Sequence, residues 1–332
     1  MKKKWLVLMW LWLPSLLLLG CTNENSNGKT EVKTSPDVPV TFEYKQQEYE
    51  IRNFYDELLE YAEKADSQSD QLNEIYREHV LEPFRIHAFG EMGGYSAISS
   101  WHFAPPEDIK ELEEDIKALK KRKNKINTLI IEALKESADK LPPDEGKTIY
   151  LFPANYSVPG LSYSLPLMGG VTGRVWNEDF VFFRLDPSFE KESLQYMIAH
   201  EYHHTVNFEK SKENHSETLL EAVMIEGKAE LFAETVYPDV EVSWSKPFIS
   251  QQSEQKVWNY LKENQNLTNV EIKSEFTNGN PRKNLPQWSL YRIGKRIMEI
   301  FVDNNPDISI QDWTKLPARE ILSKSKYEEK FK

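Results

Sequence analysis

The stretch MIAHEYHHTVNF, residues 197–208, places three of the chain's seven histidines beside one glutamate. In the longer run LQYMIAHEYHHTV, residues 194–206, almost no side chain outside this cluster is polar except Gln195. We therefore predict a helix that is buried on nearly all sides. Ionisable side chains in such a helix need partners, because an unpaired charge in an apolar interior is costly. A bound metal ion satisfies them most simply, and a hydrogen-bonded core cluster without metal is the alternative.

The order of residues within the cluster predicts which of them bind the metal. His200, Glu201 and His204 form the pattern H-E-x-x-H. Residues four apart are separated by about 40° around a helix, so the two imidazoles can converge on one zinc ion. Glu201 projects about 100° from His200 and about 60° from His204, off the ligand line. That position suits a base that acts on water at the metal.

His203 also has a spacing that could pair it with His200, but it projects about 160° from Glu201. Pairing it with His200 would leave the glutamate far from the water, so we prefer His204 as the ligand. Three interpretations of His203 stay open: a hydrogen-bond partner of a ligand, a substrate contact, or a histidine packed in the core.

The third ligand is predicted on the next helix, because a catalytic zinc has three protein ligands and one open position. The sequence SETLLEAVMIEGKAELFAETV, residues 216–236, contains five glutamates. Glu226 projects from the centre of the apolar stripe of this helix, whereas Glu221 lies about 140° away. Glu226 is therefore the predicted ligand. Glu230, one turn further along the stripe, is either bonded to a ligand histidine or an ordinary exposed residue.

The pair of motifs HEYHH and EGKAELF resembles the gluzincin arrangement of metallopeptidases, and residues 145–330 resemble a bacterial family of predicted zinc-dependent proteases. The segments PQWSLYRIGKRI and REILSKSKYEE are similar to the C-terminal half of that family. The resemblance implies a mostly helical α+β fold with a small sheet and a thermolysin-like core. It also implies one zinc ion on His200, His204 and Glu226. Lys228 stands where the family's Glu-Gly-x-Ala element usually has an apolar residue, which bears on packing rather than on the metal.

Peptide hydrolysis is the activity that this resemblance implies, with a peptide or protein as substrate. Zinc would polarise a water and the scissile carbonyl, and Glu201 would take the water's proton and pass it to the leaving amine. Tyr291 matches the family's tail and is the first candidate for stabilising the oxyanion, with His215 and His203 as alternatives. The strand predicted in EDFVFFRL, residues 178–185, is a candidate for pairing with an extended peptide.

The first residues, MKKKWLVLMWLWLPSLLLLGC, consist of three lysines, a short apolar run and a terminal cysteine. This pattern predicts a signal peptide over residues 1–20. Its end, LLGC, resembles a bacterial lipobox, which implies lipidation of Cys21 and a protein held by lipid on the extracytoplasmic face of the cell membrane. The alternative is a signal anchor that stays in the membrane, for which the run is short.

The rest of the chain is predicted to consist of three parts: a flexible tether at 21–40, a helical N-terminal region at 41–144, and the metallopeptidase domain at 145–332. Strands are predicted at 148–154 and 178–187, and the glycine-rich LMGGVTGRVW between them is predicted to be a turn. The net charge of −12 argues against a nucleic-acid partner.

Two other classes of function fit parts of the sequence. One is a lipoprotein that binds zinc or a ligand without chemistry, but such a carrier has no need of a base at the position of Glu201. The other is a scaffold lipoprotein whose helices at 41–140 bind a partner while zinc is structural. A structural site needs four ligands, and the sequence offers three good ones.

Overall fold

A computed structural model describes residues 38–67, 69–210 and 218–331. The predicted signal peptide, Cys21 and His215 lie outside the described residues. Within these ranges, no helix has both the length and the apolar character needed to cross a membrane.

The sheet is built from β1 (Val40–Tyr44), β2 (Gln47–Asn53), β3 (Thr148–Pro153), β4 (Val171–Val175) and β5 (Phe180–Leu185). Their order across the sheet is β1-β2-β3-β5-β4. β1 and β2 form an antiparallel hairpin, β2, β3 and β5 run parallel, and β4 is antiparallel to β5. The two central strands β3 and β5 are buried along almost their whole length, as is typical of parallel strands.

Helices make up most of the rest, so the expected α+β chain with a small sheet is confirmed. The helices are α1 (Tyr55–Ser67), α2 (Leu72–Tyr76), α3 (Glu82–Phe89), α4 (Tyr95–Ile98), α5 (Ile109–Lys140), α6 (Leu161–Leu167), α7 (Lys191–Lys210), α8 (Leu219–Val236), α9 (Gln251–Asn264), α10 (Val270–Asn278), α11 (Ser289–Asn304), α12 (Ile310–Lys315) and α13 (Ala318–Ser325). The predicted strands at 148–154 and 178–187 correspond to β3 and β5.

The helical region predicted at 41–144, in which EYEIRNFYDELLEYAEKA (residues 48–65) has apolar residues at helical spacing, was wrong in its first part. The residues up to Asn53 form β1 and β2. Tyr49, Ile51 and Asn53 are buried and the residues between them are less so. This two-residue period is that of a strand. Pairing with β1 on one side and β3 on the other selects the extended conformation over the local helical pattern.

The turn predicted in LMGGVTGRVW was also wrong in part, because VTGRV forms β4. Gly169 and Gly170 do make a turn, each with positive φ. The next five residues then pair with β5 over their whole length. The short length of this strand and the glycine within it hid the alternation that predicts a strand.

β5 cannot accept an extended peptide, so the proposal that EDFVFFRL pairs with substrate was wrong. Both edges of β5 are already paired, one with β3 and the other with β4. The free edge on this side of the sheet belongs to β4.

The metal motif lies on the most buried helix surface of the fold. In α7, every residue from Ser193 to Asn207 is buried, because the helix contacts α5, α8 and β4 on different sides. α8 begins at a capping box, in which the side chains of Thr218 and Glu221 each accept a hydrogen bond from the backbone amide of the other residue. It contacts α7 on one side and α11 on the other. These contacts fix the two helices that carry the predicted ligands.

Candidate metal centre

α7 and α8 bring three potential metal ligands together. The Nε2 atoms of His200 and His204 are 3.0 Å apart, and the Glu226 Oε2 atom lies 3.1 Å from the first and 3.4 Å from the second. Ligand atoms of a tetrahedral zinc ion with bonds near 2.0–2.1 Å are separated by roughly 3.3 Å. The three residues therefore fit a zinc ion in both donor type and spacing, and they form a group that can hold a metal.

The charges in the cluster also suit a cation. Two imidazole nitrogens that face each other can share at most one proton, whereas a cation between them satisfies both lone pairs and the carboxylate. Burial alone would raise the pKa of the Glu226 carboxyl, but His204 and His200 hold that pKa well below its ordinary value. Glu226 is therefore ionised at neutral pH, as a metal ligand must be.

Glu230 holds the ring of His200 from the side opposite the cluster. Its side chain is fully buried, and its Oε1 atom lies 2.9 Å from the Nδ1 atom of His200. The carboxylate also accepts hydrogen bonds from Trp244 Nε1 and Tyr196 Oη, each at 2.9 Å. A carboxylate on Nδ1 favours the tautomer whose Nε2 lone pair is free for a metal. Glu230 is therefore not an ordinary exposed residue.

Glu201 lies beside the cluster without belonging to it, against the glycine of β4. The side chain is buried. A Cβ atom built on Gly173 would lie 2.3 Å from the Cγ atom of Glu201 and 2.7 Å from its Oε1 atom. Burial raises the pKa of the Glu201 carboxyl, and the neighbouring charges of His204 and His200 oppose that rise. Only a glycine at position 173 leaves room for this carboxylate beside the strand.

His203 is not part of the cluster. It is fully buried and its ring stacks on Trp313, with the centroids 5.3 Å apart. Its Nε2 atom lies 3.3 Å from Thr314 Oγ1. Burial and then the nearby charges of His204 and Lys228 hold the pKa of His203 well below its ordinary value. These contacts describe a neutral histidine packed in the core.

Tyr291 approaches the cluster from α11. Its ring centroid lies 6.2 Å from that of His200. Burial, and then the charges of Glu226 and Glu201, hold the pKa of the phenol well above its ordinary value. The hydroxyl is therefore protonated and able to donate a hydrogen bond.

One cavity of about 880 Å³ connects these groups. Its lining includes the three potential ligands, Glu201, Tyr291 and the strand β4. It also includes three basic residues that sequence reasoning missed: His102, Arg174 and Arg184. Arg184 could have been noticed, because it is the only charged residue in the buried strand FVFFRL. Gly173 and Arg174 could not, because their segment was predicted to be a turn.

A family model described as "Predicted Zn-dependent protease (DUF2268)" matches residues 126–323. The matched segment contains α7, α8 and α11, and so all three potential ligands, Glu201 and Tyr291. No curated protein and no solved structure matches the chain. The thermolysin-like core that the sequence resemblance implied therefore stays a prediction.

Proposed function

Because the chain belongs to the family of predicted Zn-dependent proteases, we propose that it is a zinc metallopeptidase that hydrolyses peptide bonds. The observation that carries the proposal is the position of Glu201. This buried carboxylate lines the same cavity as the cluster of His200, His204 and Glu226, without being one of its members.

His200, His204 and Glu226 would hold the zinc ion. When bound, the ion supplies Lewis-acid polarisation of the attacking water and of the scissile carbonyl. Glu201 takes a proton from the water and gives it to the leaving amine, because its carboxylate faces the cavity beside the cluster. Glu230 keeps the His200 ring in place through the Nδ1 contact at 2.9 Å.

Tyr291 is the proposed donor to the oxyanion that forms on the substrate. Its phenol is protonated at neutral pH and lines the cavity. A donor held beside the reacting carbonyl stabilises the negative charge that develops on the carbonyl oxygen.

The free edge of β4 is the proposed docking site for the peptide backbone. The amide of Asp186 donates to the carbonyl of Gly170. In an antiparallel pair, the backbone hydrogen-bonding groups of successive residues point alternately toward and away from the partner strand. The backbone groups of Thr172 and Arg174 therefore point toward β5, and those of Gly173 point toward the free edge. An extended peptide that paired with Gly173 would pass beside Glu201.

We further propose that the protein is a lipoprotein, cleaved before Cys21 and held by lipid on the extracytoplasmic face of the cell membrane. The support is the sequence MKKKWLVLMWLWLPSLLLLGC alone, in which a charged start and an apolar run end at the chain's one cysteine. The proposal is tested by metabolic labelling with a fatty acid, which Cys21→Ser should abolish.

A zinc-binding protein without activity is the main alternative, and Glu201 argues against it. A carrier gains nothing from burying a carboxylate beside the metal, because burial disfavours its charged form. A base placed beside the three ligand side chains would have a use only in chemistry.

Metal binding by the cluster is tested with two matched variants on α8. Glu226→Gln removes the carboxylate ligand, whereas Glu234→Gln removes one that pairs with Lys295 at 2.8 Å. We expect the first variant to lose tightly bound zinc and peptide hydrolysis, and the second to keep both. Zinc per chain is measured by atomic absorption and hydrolysis with a quenched fluorescent peptide. Full zinc content in Glu226→Gln would contradict the assignment.

A further inference from the structure

Two arginines from neighbouring strands lie at the same cavity as the metal cluster. Arg174 on β4 pairs with Phe182, and Arg184 on β5 pairs with Thr172. Paired residues and those two positions away share one face of a sheet, so both arginines lie on the same face. Both line the cavity that contains Glu201.

Arg184 is held rigidly and buried, with 5% of its surface exposed. Its guanidinium donates to the backbone carbonyl of His102 and lies over the ring of Phe182, 4.7 Å from the centroid. Burial lowers the pKa of Arg184 to about 10, so the group is still charged at neutral pH.

Arg174 is exposed to the cavity and contacts the imidazole of His102. Burial, and then the charges of Arg174 and Arg184, lower the pKa of His102 to about 4. The imidazole is therefore neutral at neutral pH and accepts a hydrogen bond from Arg174. The guanidinium also lies 5.2 Å from the ring centroid of Trp176.

Neither arginine forms an ion pair with an aspartate or glutamate among the described residues, although the charge of Glu201 acts on Arg174 from a distance. A buried guanidinium without a counter-charge is costly, and each guanidinium has five donors, of which these contacts use few. The cavity lining also includes four glutamates, Glu178, Glu201, Glu221 and Glu226, so the positive charge is local to the two arginines. Two guanidinium groups on one face of the sheet, with donors left over, attract an anion to that side of the cavity.

We propose that Arg174 and Arg184 bind a carboxylate of the peptide substrate and so give the enzyme a preference for peptides that carry one near the scissile bond. This inference rests on the proposed peptidase function. Guanidinium groups match carboxylates in geometry and charge. Because both arginines line the same cavity as Glu201, and the charge of Glu201 acts on the Arg174 guanidinium, the bound carboxylate lies close to the reacting bond. It comes either from an acidic side chain or from the C-terminus of the substrate.

The probes are N-acetylated alanine octapeptides that carry one glutamate at successive positions, each with a matched glutamine peptide. Every peptide is made with a free C-terminus and with a C-terminal amide. Binding to the full chain with Glu201→Gln is measured by calorimetry, and hydrolysis is measured with the wild-type chain. For at least one matched pair, we expect the carboxylate to improve binding by about tenfold, the usual effect of a charged hydrogen bond.

The two sources of carboxylate give different results. A glutamate preference that survives amidation identifies an acidic side chain, and a preference for the free C-terminus over the amide identifies the terminal carboxylate. Equal binding of all matched peptides would overturn the proposal.

Variants assign the effect to the arginines. Arg174→Gln should bring the ratio of affinities for carboxylate and neutral peptides close to one, while Arg319→Gln, at an arginine that contacts Asn266 outside the cavity, should keep the wild-type ratio. Arg184→Gln should lower the same affinity ratio. If that variant fails to fold, Arg184→Lys keeps the charge and should still lower the ratio, because lysine cannot donate two parallel hydrogen bonds to a carboxylate as arginine does. A wild-type ratio in Arg174→Gln would contradict the assignment.

The outcomes also separate this inference from the proposed function. Carboxylate-dependent binding without any hydrolysis by the wild-type chain would contradict the peptidase function and support the anion site. Hydrolysis without any carboxylate preference would support the peptidase function and contradict the anion site.

Discussion

At the scale of single residues, the absence of a side chain on Gly173 shapes the site as much as the side chains that line it. Gly173 lets β4 lie directly against Glu201, because any Cβ atom there would come within 2.3 Å of the Glu201 Cγ atom. The contact joins the strand that we propose docks the peptide to the carboxylate that we propose acts as base. The position of such a group affects the reaction rate strongly, since a misplacement of about 1 Å can lower the rate about a hundredfold.

Gly173→Ala should therefore reduce hydrolysis strongly while leaving zinc in place. The added methyl group must displace either the strand or the Glu201 side chain, because the three atoms nearest to it all belong to Glu201 and to none of the potential ligands. We expect kcat/KM to fall by about a hundredfold, with the zinc content of the wild-type chain. The measurements are steady-state kinetics and metal analysis of the same preparation. A variant with wild-type kinetics would show that the contact is unimportant.

His200, His204 and Glu226 lie together in the structure, as helix projection along α7 and α8 led us to expect, and metal binding by them stays a prediction. The neighbours of Glu201 on β4 were not predictable in this way. Gly173 is 28 positions away in the chain and reaches Glu201 only through the packing of β4 on α7. His203 shows the same limit, because its three interpretations could be separated only by finding Trp313 and Thr314 around it.

At the scale of secondary-structure elements, the position of the third ligand depends on how closely α8 and α11 approach. Gly227 follows Glu226 directly, and a Cβ atom built on it would lie 2.3 Å from the backbone carbon of Gly294. A Cβ atom on Gly294 would in turn lie 2.1 Å from the Val223 carbonyl oxygen. The two helices therefore touch backbone to backbone, which requires glycine at both positions.

Gly227→Ala should destabilise the fold, although alanine is normally the better helix former. Overpacking of this kind costs about 1–3 kcal/mol, which at most of that range outweighs the roughly 1 kcal/mol that alanine gains over glycine in a helix. Urea denaturation with a chelator present measures the loss without a contribution from bound zinc. Thr235→Ala, at an exposed position of the same helix, should change stability by less than about 0.5 kcal/mol. A Gly227→Ala protein more stable than wild type would contradict the close contact.

Long helices with a repeated pattern of apolar residues were predictable from the sequence. Short strands whose conformation depends on pairing with other strands were not. α7 and α8 carry enough turns for their pattern to show. β2 and β4 are short, and each takes its conformation from the strand beside it. Local sequence therefore favoured a helix at 48–65 and a turn at 167–176, and pairing within the sheet overrode both.

At the scale of the whole molecule, the sheet crosses the boundary predicted between residues 144 and 145. β2 comes from the N-terminal side of that boundary and pairs in parallel with β3 on the other side. α5, also from the N-terminal side, contacts both α7 and α8. Most buried hydrophobic residues of both regions belong to one continuous cluster, and a smaller cluster is formed by Ala154, Val158, Leu161 and Leu165.

Residues 145–332 should therefore not fold stably without the residues before them. Removing the N-terminal region would expose one edge of β3 and the faces of α7 and α8 that α5 covers. We expect the fragment to lack a cooperative thermal transition, whereas the chain from residue 38 onward should show one by circular dichroism. A cooperatively folding fragment that binds zinc would establish 145–332 as an independent domain.

Glu201 matters most to the proposed function, because we propose that it acts on water at a zinc site to which it contributes no ligand. Glu201→Gln keeps the size of the side chain and removes the base, and Glu192→Gln, exposed in the first turn of the same helix, is the control. The direct test measures zinc per chain and peptide hydrolysis on the same samples. We expect full zinc content in both variants and a loss of hydrolysis of about 100- to 10,000-fold in Glu201→Gln alone. Wild-type hydrolysis by Glu201→Gln would contradict the proposal.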